Sequence, residues 1–165
     1  MSRAWLIGNA LWLQAGWWAC VLGAHHPLLL IGVIGGLAVH LAGCPHPRAE
    51  TAAILRVALC GCALDASLGA MGLFAFGQAL LPPWLALLWL VFASGLRHSL
   101  AWVRRPHWRA MLVGALAGPL AYIGGATLAG IGLPQGNARS ALLLAPLWAL
   151  WLPLCLRLAQ SPAPR

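Results

Sequence analysis

Long apolar segments alternate along the whole chain with short segments rich in proline, glycine and arginine. Most of the apolar segments reach roughly the 20 residues that an α-helix needs to cross the hydrocarbon core of a bilayer. The pattern therefore predicts an all-α polytopic membrane protein, in which residues 1–165 form one integral domain with six transmembrane helices. The expected helices cover residues 4–23, 28–43, 51–76, 84–102, 110–131 and 140–159.

The third predicted helix contains several glycines, which leave two interpretations open. Gly61, Gly69 and Gly72 either allow neighbouring helices to pack closely or divide the segment into two half-helices, as in some transporters. No internal repeat between the two halves of the chain supports the second interpretation.

The distribution of arginine predicts the orientation of the helices. With six crossings, Arg3, Arg48, residues 104–109, Arg157 and Arg165 fall on one side, and only Arg139 falls on the other. Because cytoplasmic loops carry an excess of basic residues, we expect both termini in the cytoplasm. The expected location is the bacterial inner membrane.

The composition excludes several classes of protein. Only 7% of the residues are charged and 62% are hydrophobic, whereas soluble domains carry about 25% charged residues. A sequence pI near 11.1 would ordinarily suggest a nucleic-acid partner. Here the basic residues are scattered between apolar segments and form no solvated basic domain, so no nucleic-acid binding is expected.

No metal or cofactor is expected from the sequence. Cys60 and Cys62 lack zinc-site spacing and lie in an apolar segment, where free cysteine acts as a small hydrophobic residue. His25 and His26 have no neighbouring carboxylate. The usual hydrolase, nucleotide-binding and metalloprotease motifs are absent.

Asp65 is the most informative residue of the sequence. It is one of only two acidic residues, and it lies near the middle of the third predicted helix. A carboxylate at that depth is costly unless it is paired, protonated or in contact with water, so it indicates a functional or structural site. Arg56 precedes it by nine residues, which places the two on opposite sides of the helix. We therefore expect partners for Asp65 on the first, fourth or fifth helix.

Other polar residues fall inside the predicted helices, mostly in their cytoplasmic half. Arg97 and His98 are adjacent, so in a helix they point about 100° apart, and only one of them is expected to face the core. The alternative for Arg97 is that it extends to the lipid headgroups. The predicted intramembrane cluster comprises Asn9, Gln14, His40, Arg56, Asp65, Arg97, His98 and Tyr122.

The catalytic role of these residues is left open by the sequence. The candidates are Asp65, His98 and Ser99, which could transfer a proton or contact a headgroup. The alternatives are a structural clasp for Asp65 and a structural hydrogen bond for His98. A haem ligated by His40 and His98 is a further, less favoured alternative.

Arg104, Arg105 and Arg109 form the densest cluster of charge. Each arginine near an anionic membrane surface contributes about 1 kcal/mol. The cluster is expected to bind lipid headgroups, a cytoplasmic partner, or simply to anchor the topology.

Several segments resemble a family of short bacterial inner-membrane proteins, a domain of unknown function. The family usually has Asn at the position of Arg97. Its members tend to be encoded near enzymes similar to cyclopropane-fatty-acid synthases, so the resemblance implies a link to membrane-lipid modification. The segments that carry the resemblance are Asn9 with residues 14–24, residues 61–67, residues 97–100 with Trp102, and residues 118–125.

The leading expectation is therefore an accessory or scaffold protein of a membrane-lipid modification pathway, with membrane lipids and a cytoplasmic lipid-modifying enzyme as partners. One alternative is a small intramembrane enzyme or lipid carrier that uses Asp65 and His98. A second is a transporter of small solutes, which the mostly apolar periplasmic half disfavours.

Overall fold

The structure is a computed structural model that describes residues 2–160. Its all-α fold agrees with the prediction, and the six α-helices follow one another in the expected order. They are α1 (Arg3–Leu22), α2 (Leu28–Gly43), α3 (Pro47–Ala70), α4 (Pro83–Ala93), α5 (His107–Ala129) and α6 (Gly136–Leu158), with a short 3-10 helix, η1 (Ala101–Arg104), before α5.

Three of these helices, α3, α5 and α6, are long and apolar enough to cross a membrane. The other three helices are either too short or not apolar enough by the same criterion of length and hydropathy. The polar side chains of Asn9 and Gln14 lower the hydropathy of α1, whereas α2 and α4 have only 16 and 11 residues. The structure therefore has the character of a membrane protein.

The third helix is continuous, but its boundaries differ from the expected ones. It begins at Pro47. Proline is favoured at the first position of a helix, because the N–H that it lacks would have no partner within the helix. It ends at Ala70 and not at residue 76, since Gly72 adopts a left-handed backbone with φ of 78°. The chain then continues as a loop in which Ala75 forms an isolated bridge with Gly132.

The fourth helix is also shorter than expected. It ends at Ala93, not near residue 102, and residues 94–100 form a series of turns that leads into η1. We call residues 94–104 the unwound segment. Irregular backbone at membrane depth is tolerated only where its polar groups find partners inside the protein.

Asn9 on α1 supplies those partners. Its side-chain amide donates to the carbonyl oxygen of Ser94 over 3.2 Å, and its Oδ1 accepts from the backbone N–H and the hydroxyl of Ser99 at 3.1 and 2.6 Å. Trp12 adds an indole hydrogen bond to the Ser94 hydroxyl. One buried amide thus replaces backbone bonds that an uninterrupted helix would have made.

Close packing elsewhere depends on glycine. On α5, Gly114 and Gly118 lie directly against Trp148 of α6, and a Cβ at either position would overlap that residue. On α3, Gly61 lies against the ring of Trp89 in the same way. The result is a tightly packed α5–α6 pair and a tightly packed α3–α4 pair.

Candidate functional site

Four polar side chains meet where the ends of α2, α3 and α4 come together. His40 lies in the last turn of α2, and Cys44 follows one helical turn later at the C-cap of that helix. Glu50 lies in the first turn of α3, and His98 comes from the unwound segment. We call these four residues the His–Cys–Glu–His cluster.

The cluster is buried and its donor atoms are close together. His98 Nε2 lies 3.0 Å from Glu50 Oε1, and His40 Nε2 lies 3.5 Å from the same oxygen. The Cys44 sulfur lies 3.7 Å from His40 Nε2 and 3.9 Å from His98 Nε2. No side chain of the four is more than 8% exposed.

Two further residues complete the surroundings of the cluster. Arg97 Nη1 lies 3.3 Å from Glu50 Oε2, an ion pair by distance that lacks the alignment of a hydrogen bond. Trp5 donates its indole N–H to His98 Nδ1 over 3.2 Å, and its ring stacks on His40. Burial and the negative charge of Glu50 raise the pKa of the Cys44 thiol, whereas Arg97 lowers it.

The tautomer of His98 follows from these contacts. Because Trp5 donates to Nδ1, that nitrogen carries no proton, and the ring proton of neutral His98 is on Nε2. From there it points at the Glu50 carboxylate, so Glu50 accepts from His98 and also faces Arg97.

A second polar contact lies deeper on α3. Both oxygens of the Asp65 carboxylate are occupied: Trp89 of α4 donates its indole N–H over 2.6 Å, and Tyr122 of α5 donates its hydroxyl over 2.6 Å. Asp65 is completely buried. The expectation that it faces the bundle, toward the first, fourth or fifth helix, is met by α4 and α5.

An apolar cavity of about 260 Å³ lies between α4 and α5. Aromatic side chains, including Trp84, Trp89 and Phe92, line its α4 wall. Its α5 wall is formed largely by small residues, and Ala117 and Ala121 among them are exposed at the surface. Large side chains facing small ones leave the space unfilled, and the Asp65 partners Trp89 and Tyr122 belong to its lining.

A polar pocket of about 250 Å³ lies at one end of the α5–α6 pair. Arg104, Arg105, His107 and Arg157 line it. The only two acidic residues of the chain, Glu50 and Asp65, are buried elsewhere. We call this feature the basic pocket; it is suited to an anion.

A family model described as "Protein of unknown function (DUF2878)" matches residues 6–154. The chain belongs to the DUF2878 family. The match spans the whole His–Cys–Glu–His cluster, Asp65 and both walls of the cavity, while Trp5 and Arg157 lie outside it. No curated protein and no solved structure matches the chain.

The structure divides the cluster that the sequence predicts for this DUF2878 protein. His40, Arg97 and His98 gather around Glu50, whereas Asp65 and Tyr122 form a separate pair. The remaining three predicted members have other environments: Asn9 holds the unwound segment, Arg56 donates to the carbonyl oxygens of Leu158 and Gln160, and Gln14 is exposed.

The structure separates the catalytic candidates Asp65 and His98, and it changes the expectation that only one of Arg97 and His98 faces the core. Asp65 follows Glu50 by 15 residues on one continuous helix, which separates them by about 22 Å. His98 contacts Glu50, so Asp65 and His98 cannot share one site. Arg97 and His98 both contact Glu50. Helix α4 ends at Ala93, before both residues, so adjacent side chains are no longer held about 100° apart. Ser99 is used to bind Asn9.

Glu50, Cys44 and Trp5 were not among the residues selected from the sequence. The predicted third helix begins at residue 51, so Glu50 falls in the preceding loop, where acidic residues count little in predicting topology. The sequence does contain an indication of this site. His40 and Cys44 are four residues apart at the end of a predicted helix, so their side chains lie on one face. Glu50, moreover, is one of only two acids in the chain.

Proposed function

We propose that this protein is a multi-pass protein of the bacterial cytoplasmic membrane that binds an anionic phospholipid and serves a membrane-lipid modification pathway as an accessory or scaffold protein. The observation that carries the proposal is the apolar cavity between α4 and α5. A cavity lined by aromatic and aliphatic side chains does not hold water, and its surroundings in a bilayer are hydrocarbon chains.

The walls of the cavity favour a lipid tail over a polar solute. Ala117 and Ala121 leave the α5 side open at the surface. A chain that enters from the bilayer gains no transfer energy from water. Its binding would depend on dispersion contacts with the aromatic wall, each about 0.1–0.2 kcal/mol for a pair of atoms.

The basic pocket supplies the matching site for a headgroup. Ala110 lines the basic pocket and Gly114, one turn further on α5, lines the cavity; Leu156 and Leu152 are related in the same way on α6. The two features are thus about one helical turn apart, roughly 6 Å. The guanidinium of arginine can donate two parallel hydrogen bonds to a phosphate. A lipid phosphate bound at Arg104, Arg105 and Arg157 would leave a hydrocarbon chain within reach of the cavity.

The proposed topology has six crossings with both termini in the cytoplasm. It is supported by Arg56 in the first half of α3, whose side chain donates to the carbonyl oxygens of Leu158 and Gln160 at the end of α6. The same end of the bundle holds Arg97 and the basic pocket. Arg139, at the start of α6, belongs to the opposite end. Arg165 lies outside the described residues.

Lipid retention tests the proposal. Purified protein is analysed by native mass spectrometry after exchange into detergent that contains equal amounts of phosphatidylglycerol and phosphatidylethanolamine. We expect retained phosphatidylglycerol, which Ala121→Phe should reduce at least fivefold because the ring closes the cavity opening. Ala10→Phe is the matched control, since Ala10 is exposed on α1 and does not line the cavity.

The headgroup site is tested in the same assay. Arg104→Gln, Arg105→Gln and Arg157→Gln together should abolish the preference for the anionic lipid, whereas Arg139→Gln should not change it. Equal retention of both lipids by the unaltered protein, or equal loss in Ala121→Phe and Ala10→Phe, would contradict the proposal.

A further inference from the structure

The His–Cys–Glu–His cluster has the composition and the spacing of a metal site. We propose that His40, Cys44, Glu50 and His98 together bind one divalent transition-metal ion of the zinc class. This inference does not depend on lipid binding, because none of the four residues lines the cavity or the basic pocket.

The distances between the donor atoms fit a tetrahedral ion. Zinc bond lengths of about 2.0–2.3 Å place neighbouring ligand atoms of a tetrahedron about 3.3–3.6 Å apart. In the cluster, the four measured edges are 3.0, 3.5, 3.7 and 3.9 Å. All four donor atoms lie within 4.8 Å of one another, so small side-chain movements suffice to coordinate an ion.

The chemistry of the donors selects the kind of metal. Two imidazoles and one thiol exclude calcium and magnesium, which prefer oxygen ligands. A mixed nitrogen, sulfur and oxygen set suits zinc, and also cobalt as its spectroscopic substitute. Four protein ligands fill a tetrahedron, which is typical of structural zinc sites and leaves no open position for a substrate.

Charge balance also favours a divalent cation. The Cys44 thiolate and the Glu50 carboxylate together neutralise a doubly charged ion, and the thiol proton is released on binding. Arg97 then faces the outer oxygen of Glu50. A carboxylate ligand that is held by a second group is the usual arrangement around metal sites.

The hydrogen bond from Trp5 to His98 competes with metal binding. A histidine that binds metal through Nε2 carries its proton on Nδ1. Trp5 donates to that Nδ1 atom, so a bound ion would break the hydrogen bond. Trp5 therefore weakens binding, and Trp5→Phe should strengthen it while keeping a ring against His40.

The position of the site suggests what the ion does. It would connect the end of α2, the start of α3 and the unwound segment, and so add to the contacts that Asn9 and Trp12 make with that segment. Its role would be to fix residues 94–104 against the rest of the bundle.

The experiment titrates the metal-free full-length protein in detergent with Co²⁺ and then with Zn²⁺. We expect one equivalent of Co²⁺ per chain, with the absorption of a thiolate–cobalt bond and tetrahedral visible bands, and displacement of the cobalt by zinc. Cys44→Ser should remove the thiolate band and weaken binding at least about 100-fold. Cys20→Ser and Cys62→Ser are the matched controls and should retain both.

A second variant guards against misfolding as an explanation. Trp5→Phe removes no ligand and should bind Co²⁺ about tenfold more tightly, because binding no longer costs the hydrogen bond between Trp5 and His98, which is worth about 1 kcal/mol. Size-exclusion profiles and circular dichroism establish that each variant is folded. Absence of stoichiometric binding in the unaltered protein, an unchanged thiolate band in Cys44→Ser, or unchanged or weaker binding in Trp5→Phe would overturn the four-ligand site.

Discussion

Trp89 donates its indole N–H to the Asp65 carboxylate over 2.6 Å, while the ring of the same tryptophan lies against Gly61, one turn earlier on α3. The glycine allows the approach, and the carboxylate fixes the orientation of the ring. Since Tyr122 donates to the other oxygen, a single side chain connects α3 with α4 and α5 beside the cavity.

This contact predicts different outcomes for two substitutions at Asp65. In Asp65→Asn, the amide oxygen can accept from Trp89 and the amide N–H₂ can donate to the Tyr122 hydroxyl, so the loss of stability should be below about 1 kcal/mol. In Asp65→Leu, both donors are left unpaired at about 1–3 kcal/mol each. Thermal unfolding in detergent measures the difference.

The same pair of variants separates a structural clasp from a proton-transfer role. If Asp65 is a structural clasp, Asp65→Asn should retain lipid as the unaltered protein does. If its carboxylate must ionise or transfer a proton, Asp65→Asn should fold but no longer retain lipid. Tyr122→Phe, which removes one of the two hydrogen bonds, should fall between the two Asp65 variants in stability. A Leu variant as stable as the Asn variant would contradict the clasp.

Asn9 should be as important to the structure as Asp65. Asn9→Ala leaves the Ser94 carbonyl and the Ser99 N–H without partners, and we expect it to destabilise the protein by about 2–4 kcal/mol. Hydrogen exchange in residues 94–104 should rise in parallel. Gln14→Ala is the control, since Gln14 is exposed; if it has an equal effect, the assigned role of Asn9 is wrong.

The topology makes a separate prediction. Reporter fusions after Gln160 should give a cytoplasmic signal, and fusions within residues 135–138 should give a periplasmic one, because the arginine-rich ends of the helices lie together. A periplasmic signal after Gln160 would require an odd number of crossings.

Arg109 distinguishes a defined headgroup pocket from a diffuse basic surface. It belongs to the basic segment predicted from the sequence, yet it does not line the basic pocket, and its guanidinium lies over Trp108. Arg109→Gln should leave phosphatidylglycerol retention unchanged, whereas Arg105→Gln should lower it and make it less sensitive to salt. Equal effects of the two substitutions would indicate a diffuse basic surface without a defined pocket.

The helices could be predicted because apolar segments and proline-rich loops are local signals. The end of α4 could not be predicted, since residues 94–100 contain no proline that would end a helix. The partner of their free backbone groups is Asn9, which lies 85 residues earlier in the chain than Ser94. Membership of an uncharacterised family is predicted from several short sequence segments, and the family match confirms it. Its function stays a prediction.

The candidate site was predicted only in part, for a related reason. Asp65 and His98 were selected because ionisable groups are rare in apolar segments. Trp89 and Trp5 are not among the predicted polar residues, because tryptophan counts as apolar in a hydropathy pattern, although each contributes an N–H to a buried acceptor. Glu50 was overlooked because its partners come from α2 and the unwound segment, which are distant in sequence.

The short α4 has a consequence for how the protein is made. Eleven residues extend about 16 Å, roughly half of a 30 Å hydrocarbon core. In the proposed six-crossing topology, the rest of that crossing falls to the unwound segment, whose peptide groups need partners inside the protein. Because α1 is synthesised before residues 94–104, Asn9 is available as their partner when they enter the membrane, and we expect folding of the unwound segment to depend on α1.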